Sequence, residues 1–399
     1  MNDPRRLSLP EFTAMLAMLF ATIAFSIDAM LPALPRIGAE LSPDAINRAQ
    51  LILTAFMLGM GFGTFLAGPI SDAVGRKATI TAAFAIYIGA AIWAVHAQTL
   101  DSLLAARFVQ GLGAAGPRIV SLALVRDLYK GREMARVTSI VMMIFILVPA
   151  IAPSLGQLIM GVTGWRGIFW AFVIFAALGM IWLNLRQPET LPRPMRRPLR
   201  PGPLWAALRE VLAHPEVRLY TLVMTLGYGQ MFALLSAAPQ LFAAYGQGPA
   251  FAQWFALMAL LSGAGTVLNA RFVVRLGMRR IVIAAYRMQV IAAGLMLAGL
   301  ILGLPAGAPA FAAVFVWSVS LFFMAGVTFG NLNALAMQQM GHIAGMAASV
   351  VSAVSTVLAV ALAAPIGLAF SGTATPLVLG ALICSGLAWA LMRRTIDTN

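Results

Sequence analysis

The chain has 399 residues, 61% of them hydrophobic and 10% charged, and its mean hydropathy is +0.89. A soluble globule carries about 25% charged residues, so that class is excluded. The formal net charge of +14, from 27 Lys and Arg against 13 Asp and Glu, falls in short loops beside apolar runs, which membrane topology explains better than nucleic-acid binding. The single cysteine, Cys384, excludes an intramolecular disulfide framework.

Roughly a dozen apolar stretches approach the ~20 residues of a spanning helix. They do not alternate, so their backbone groups are expected to be satisfied within helices rather than in a barrel. The expected fold is an all-α integral membrane protein with twelve transmembrane helices in two pseudo-symmetric six-helix bundles. The bundles cover residues 1–186 and 218–399, joined by a cytoplasmic linker over 187–217. Arg5-Arg6-Leu7 superficially resembles a twin-arginine leader. The run behind it is as long as a full span and shows no convincing cleavage site, so it reads as an uncleaved first helix.

The first span, Phe12 to Ala33, carries Asp28. A carboxylate near a helix centre costs about 2.5–3.5 kcal/mol on insertion scales. About 24 Å of helix separates it from Phe12, which puts it in the outer half of the bilayer unless the helix ends early and Asp28 meets periplasmic water. The second span, Gln50 to Ile70, holds Gly59, Gly61 and Gly63, small enough for close helix packing. Then comes Gly68-Pro69-Ile70-Ser71-Asp72-Ala73-Val74-Gly75-Arg76-Lys77. Gly68-Pro69 is expected to stop the second helix, Gly75 to permit a reversal at positive φ, and Arg76 and Lys77 to hold the turn on the cytoplasmic side. Asp72 is an acid in a loop otherwise selected for positive charge.

The third span, Ala78 to Val95, reads as peripheral and without an ionisable residue. The fourth starts near Asp101 and carries Arg107, Gln110, Gly111 and Gly116-Pro117-Arg118 before ending at Arg126-Asp127-Leu128-Tyr129. Positions 107, 111, 114 and 118 share one face. Arg107 lies about 9 Å inward of Asp101, close to the depth of Asp28. Arg118 is nearer the cytoplasmic end and could either face a cavity or snorkel. The fifth span, Val137 to Met160, holds Pro149, Ala152-Pro153 and Gly156, which distort and thin a helix. Gly164-Trp165-Arg166-Gly167-Ile168-Phe169-Trp170 reads as an interfacial anchor before the sixth.

From Arg186 to about Pro215 prolines alternate with Arg193, Arg196, Arg197 and Arg200, a polar extended linker. A short amphipathic piece, Leu204 to Leu212, is expected to lie on the membrane surface. The second half repeats the first weakly. Laying Gly277 over Gly75 keeps the basic turn but puts Val274 in the place of Asp72, and Ala364-Pro365 echoes Ala152-Pro153. The seventh span, Leu219 to Phe242, offers Gly227-Tyr228-Gly229-Gln230-Met231-Phe232; the tenth offers Trp317, Asn331 and Asn333. Arg118, Tyr228, Gln230, Phe232 and Asn331 are the candidates for a soft, mainly apolar substrate cavity. Helix packing is the competing reading for each aromatic.

Three basic residues fall within spans (Arg107, Arg118 and Arg287, the last able to snorkel) and three outside (Arg36, Arg48 and Arg166). The other 21 of the 27 sit on cytoplasmic segments, which turns both termini inward.

The loop after the second span resembles the G-x-x-(A/S)-D-x-x-G-R-(K/R) signature of the major facilitator superfamily. Arg107-Phe108-Val109-Gln110-Gly111 matches the R-x-x-Q-G element of its proton-coupled members. Asp28-Ala29-Met30-Leu31-Pro32-Ala33-Leu34-Pro35 is similar to the D-M-Y-L-P-A-L-P run of bicyclomycin-resistance-type drug/proton antiporters, with Met30 in place of the tyrosine. The A-P-x-x-G core around Pro153 resembles a fifth-helix antiport signature in shortened form.

The resemblance implies proton-coupled efflux of small organic compounds or drugs, hence antibiotic resistance, across a bacterial inner membrane. The alternative is a proton-coupled transporter of a specific polar or anionic metabolite. Implied roles are proton coupling for Asp28 and Arg107, antiport for Pro149, Pro153 and Gly156, and a conformational switch for Gly68, Asp72, Gly75 and Arg76. Asp72 would then face the start of the eleventh span, near Gly341 to Gly345. In a proton cycle Asp28 alternates between a state that is wet or paired with Arg107 and one that is desolvated and protonated. Expected partners are the substrate, protons and lipid, with no nucleic acid and a monomeric protein. No metal and no cofactor is expected beyond the proton gradient; no phosphate-binding glycine loop with lysine supports ATP as the drive. A membrane-embedded enzyme lacks a His/carboxylate cluster, since His96, His214 and His342 all lie near loops.

Overall fold

A computed structural model describes residues 7–394, with 197 and 200 excepted. Arg5, Arg6, Arg197 and Arg200 therefore lie outside the described residues. The helices are α1 (Leu9–Asp28), α2 (Leu34–Leu41), α3 (Leu51–Val74), α4 (Arg76–Val95), α5 (Leu100–Leu128), α6 (Gly131–Thr163) and α7 (Trp165–Arg186), then α8 (Pro201–Ala213), α9 (Pro215–Ala244), α10 (Phe251–Leu276), α11 (Met278–Ile301), α12 (Ala308–Gln338), α13 (Ala344–Leu368) and α14 (Thr375–Arg393). Twelve segments among the described residues are long and apolar enough to cross a membrane. With no water to bind backbone groups in lipid, an all-helical chain is the solution open to such runs.

Two compact units form. One gathers the residues through Pro43 with Ala55–Gly202; the other gathers Asp44–Thr54 with the residues from Pro203 on. Their internal packing repeats. In the first, α1 lies against α5, α6 and α7, and α4 against α5 and α7; in the second, α9 lies against α12, α13 and α14, and α11 against α12 and α14. Laying α9 to α14 over the first six spans maps each pair onto its counterpart, the pseudo-symmetry the weak sequence repeat suggested. Gly75, at φ 113°, and Gly277, at φ 78°, make equivalent turns into α4 and α11. Val274, in the slot of Asp72, is 91% exposed.

Several details differ from expectation. Gly68-Pro69 does not stop the second span: Pro69 sits inside α3, which runs on to Val74. One missing N–H is tolerated there, and the Ser71 hydroxyl donates to the Gly68 carbonyl at 2.9 Å; the helix ends only where Gly75 turns to positive φ. The first span is not one helix to Ala33. It breaks after Asp28, passes through a 3₁₀ turn at Leu31–Ala33 and resumes as α2, because Pro32 and Pro35 each begin a helical segment, where a missing N–H costs least. The third span is not without an ionisable residue: α4 buries Tyr87 completely on its inner face, while Ile86, Ile92 and Trp93 stay exposed on its outer one. Within the segment expected to anchor the sixth span, Trp165 is turned inward, 2% exposed with its Nε1–H donating to Glu40 at 2.7 Å, while Trp170 stays exposed.

Close helix crossings rest on glycine. A Cβ added to Gly111 in α5 would stand 2.0 Å from the Phe56 carbonyl oxygen of α3, and one added to Gly59 in α3 would stand 1.9 Å from that of Phe108 in α5. Backbone cannot yield as a side-chain tip can, so Gly111→Ala should cost about 1–3 kcal/mol. Thermal unfolding of the detergent-solubilised protein should show a lowered midpoint. Gly89→Ala, where a Cβ meets nothing within 4 Å, should leave it unchanged.

Candidate transport site

The end of α1 assembles the polar centre of the first unit. Asp28 is the last residue of α1 and is 5% exposed. No hydrogen bond or ion pair reaches its carboxylate among the described residues. One turn-half earlier, the Ser26 hydroxyl donates to the Thr22 carbonyl at 2.5 Å, leaving its oxygen to accept from the Tyr87 hydroxyl of α4. The Ser26 carbonyl accepts from Arg107 Nη2 at 3.0 Å, and Arg107 Nη1 donates to Gln110 Oε1 at 2.7 Å. The guanidinium has no exposed surface and stands 4.3 Å from the Phe56 ring centroid, with Phe169 at 5.9 Å. Aromatic faces and neutral acceptors thus hold a cation where lipid would reject it.

Asp28 and Arg107 therefore come to one level of the bundle without pairing. In the fifth span, α6 contains both Pro149 and Pro153, and a Cβ on Gly156 would meet the Ala29 carbonyl oxygen at 2.0 Å. The glycine of the proline-rich helix thus lies against the residue following Asp28.

At the other end of this unit Arg76 is a hub. Its Nη1 donates to Asp72 at 2.5 Å and to Ser71 Oγ at 2.6 Å, and its Nε to Asp127 at 3.1 Å. The backbone N–H groups of Arg76 and Lys77, at the start of α4, donate to the Glu189 carboxylate at 2.9 and 3.1 Å. An anion at a helix N-terminus is favoured by the orphan N–H groups and the helix dipole. Thr190 Oγ1 closes the ring on Asp127 at 2.8 Å. Sequence reasoning missed Glu189; its signal was an acid in a linker otherwise rich in arginine and proline.

In the second unit Tyr228 and Phe232, one turn apart on α9, stack with centroids 5.6 Å apart and planes at 4°, and Phe329 of α12 lies 4.2 Å from Tyr228. Gln230 does not join them. It is 2% exposed and accepts from Ser385 of α14 at 2.9 Å; two residues along a helix turns a side chain about 200°. Asn331 is likewise turned to packing, its amide donating to Asn269 at 2.7 Å and to the Val327 carbonyl at 2.9 Å. Arg118 is half-buried and makes no hydrogen bond or ion pair among the described residues. No group of three His, Cys, Asp or Glu side chains able to hold a metal occurs among them.

Comparison with known proteins places this geometry. The family model described as Major Facilitator Superfamily matches residues 14–364. An MFS-type transporter of Bacillus subtilis (strain 168) is 29% identical over 86% of this chain and 84% of its own length. A bicyclomycin resistance protein homolog of Haemophilus influenzae is 29% identical over 63% of this chain and 64% of its own. A chloramphenicol resistance protein of Pseudomonas aeruginosa is 30% identical over 69% and 64%. The solved structure of a D-xylose-proton symporter superposes with a TM-score of 0.73 at 14% identity, over 95% of this chain and 97% of that one; at that identity the likeness is one of fold. With its two repeated bundles, its twelve spans and its match over most of its length, the chain belongs to the major facilitator superfamily of membrane transporters.

Proposed function

We propose that this transporter exports small organic compounds from the cytoplasm of a bacterium by proton antiport across the inner membrane, with Asp28 as the proton-carrying group. The observation that carries this reading is Asp28 itself, a carboxylate almost without exposed surface at a helix end, unpaired, beside an Arg107 already satisfied by neutral partners. An isolated buried carboxylate holds a proton when dry and releases it when wet or when a cation approaches. The broken helix around Pro32 and the glycine contact from α6 give α1 the freedom to change its surroundings. Relatives named for resistance to bicyclomycin and chloramphenicol support export of such compounds. The excess of basic residues on inner segments supports cytoplasmic termini, and lipid and a monomeric state complete the reading.

Asp28→Asn keeps shape and loses the titrating group. Export driven by a pH gradient in everted vesicles should fall to background, while the variant inserts and binds substrate. Wild-type gradient-driven rates in the variant would remove Asp28 from the coupling step.

The Arg76 hub is the proposed conformational switch. Asp72→Asn takes one of two carboxylates from Arg76 and should loosen the turn, raising the population of inward-open states. Spin labels placed on the loop beside Asp72 and at Gly345 should then report longer distances. A distribution identical to wild type would leave Asp72 as a local partner of Arg76 and no more.

A further inference from the structure

Helix α5 carries polar groups that its own bundle does not use. Ser121 Oγ is buried without a partner among the described residues, and Arg118, less than a turn before it, is half-buried and also unpartnered. Gln110 is instead engaged within the bundle, its Oε1 accepting from Arg107 and its side chain reaching the Tyr87 hydroxyl. About three turns separate Arg107 from Arg118, which leaves the two within roughly 20° on the helix. Arg118 thus lies on the arc that includes the fully buried Arg107 and Ala114, while the half-exposed apolar Phe108, Leu112 and Ile119 occupy another side. A cation on this arc, partly exposed and without a carboxylate partner, keeps its donors available to a group that is not part of the chain.

We infer that Arg118 is a specificity-determining residue whose guanidinium binds an anionic or acceptor-rich group of the substrate, so that the transporter selects carboxylate-bearing or neutral compounds over organic cations. This rests on the export reading above and supplies its substrate class. Guanidinium offers five fixed donors and no acceptor, and an acidic group meets it in bidentate fashion. Ser121, less than a turn on and without a partner, extends the same bias along the helix, since a hydroxyl can serve a carboxylate or a carbonyl. An organic cation meets like charge there, which specificity exploits as much as attraction. Asp28, the acid that could offset Arg118, is held at the level of Arg107.

Binding of two xanthene dyes to the purified full-length protein tests this without a proton gradient: anionic carboxyfluorescein and cationic tetramethylrhodamine methyl ester, followed by fluorescence anisotropy. Wild type should prefer the anionic dye by about tenfold or more. Arg118→Met should reduce that preference by about tenfold, and Arg118→Lys, which keeps the charge but loses the fork, should retain most of it. Arg287→Met, on an exposed arginine of α11, should leave the ratio unchanged. Arg118→Gln serves in place of the methionine variant if that one unfolds, as judged by its thermal midpoint. A wild type that favours the cationic dye, or an unaltered ratio in folded Arg118→Met or Arg118→Gln, overturns the assignment and leaves Arg118 a snorkelling residue. A wild type that keeps the dye preference but shows no gradient-driven export would instead defeat the antiport reading alone.

Discussion

The Arg107 guanidinium has no exposed surface, and holding it inside a span is the constraint on which α1, α4 and α5 depend. A charge in such a place is costly enough to reshape its surroundings. Here the offset comes from neutral groups. The Ser26 carbonyl must point at α5, which fixes the last turn of α1. The Ser26 hydroxyl is in turn fixed by Tyr87, which ties α4 to the same point. Because neutral partners satisfy Arg107, the carboxylate two residues farther along is left uncommitted. A salt bridge at this spot would have bound both charges together; the carbonyl bond keeps them near and separate.

The Arg76 ring also centres on a cation, but there the offset comes from carboxylates instead of neutral groups. One cation gathers Asp72 and Asp127, while Glu189 attends to the N–H groups beneath it. Exposed ion pairs contribute little singly, yet these share partners with a helix terminus and with a linker threonine. The connection after the sixth span is thereby fastened to the start of the third.

Much of this was legible in the residues. Apolar runs, the turn at Gly75 and the depth of Asp28 follow from composition, spacing and the φ that glycine alone adopts readily. The rest depended on groups distant in sequence. Tyr87 in an apolar run looks like packing until Ser26 lies beside it, and Glu189 can cap α4 only after folding brings together residues 113 positions apart. Gln230 misled because the glycines just before it, Gly227 and Gly229, gave no clue to which face of α9 was buried. Pro69 misled because local rules treat proline as a stop, whereas tertiary packing carried α3 through it.

The paired prolines of α6 have a mechanical consequence. Pro149 and Pro153 are one turn apart, so the carbonyls left without donors, those of Phe145 and Pro149, lie on a single side of the helix. That side meets α1: Phe145 packs edge-on to Phe20, with ring centroids 6.4 Å apart, and Gly156 lies on Ala29. The opposite side, exposing Leu147, Ile151, Leu155 and Leu158, keeps its ladder. Such a rod is stiff against twisting toward lipid but compliant in the one plane it shares with α1. Bending of such a rod would be directional, and its inner side lies on Ala29, the residue next to Asp28.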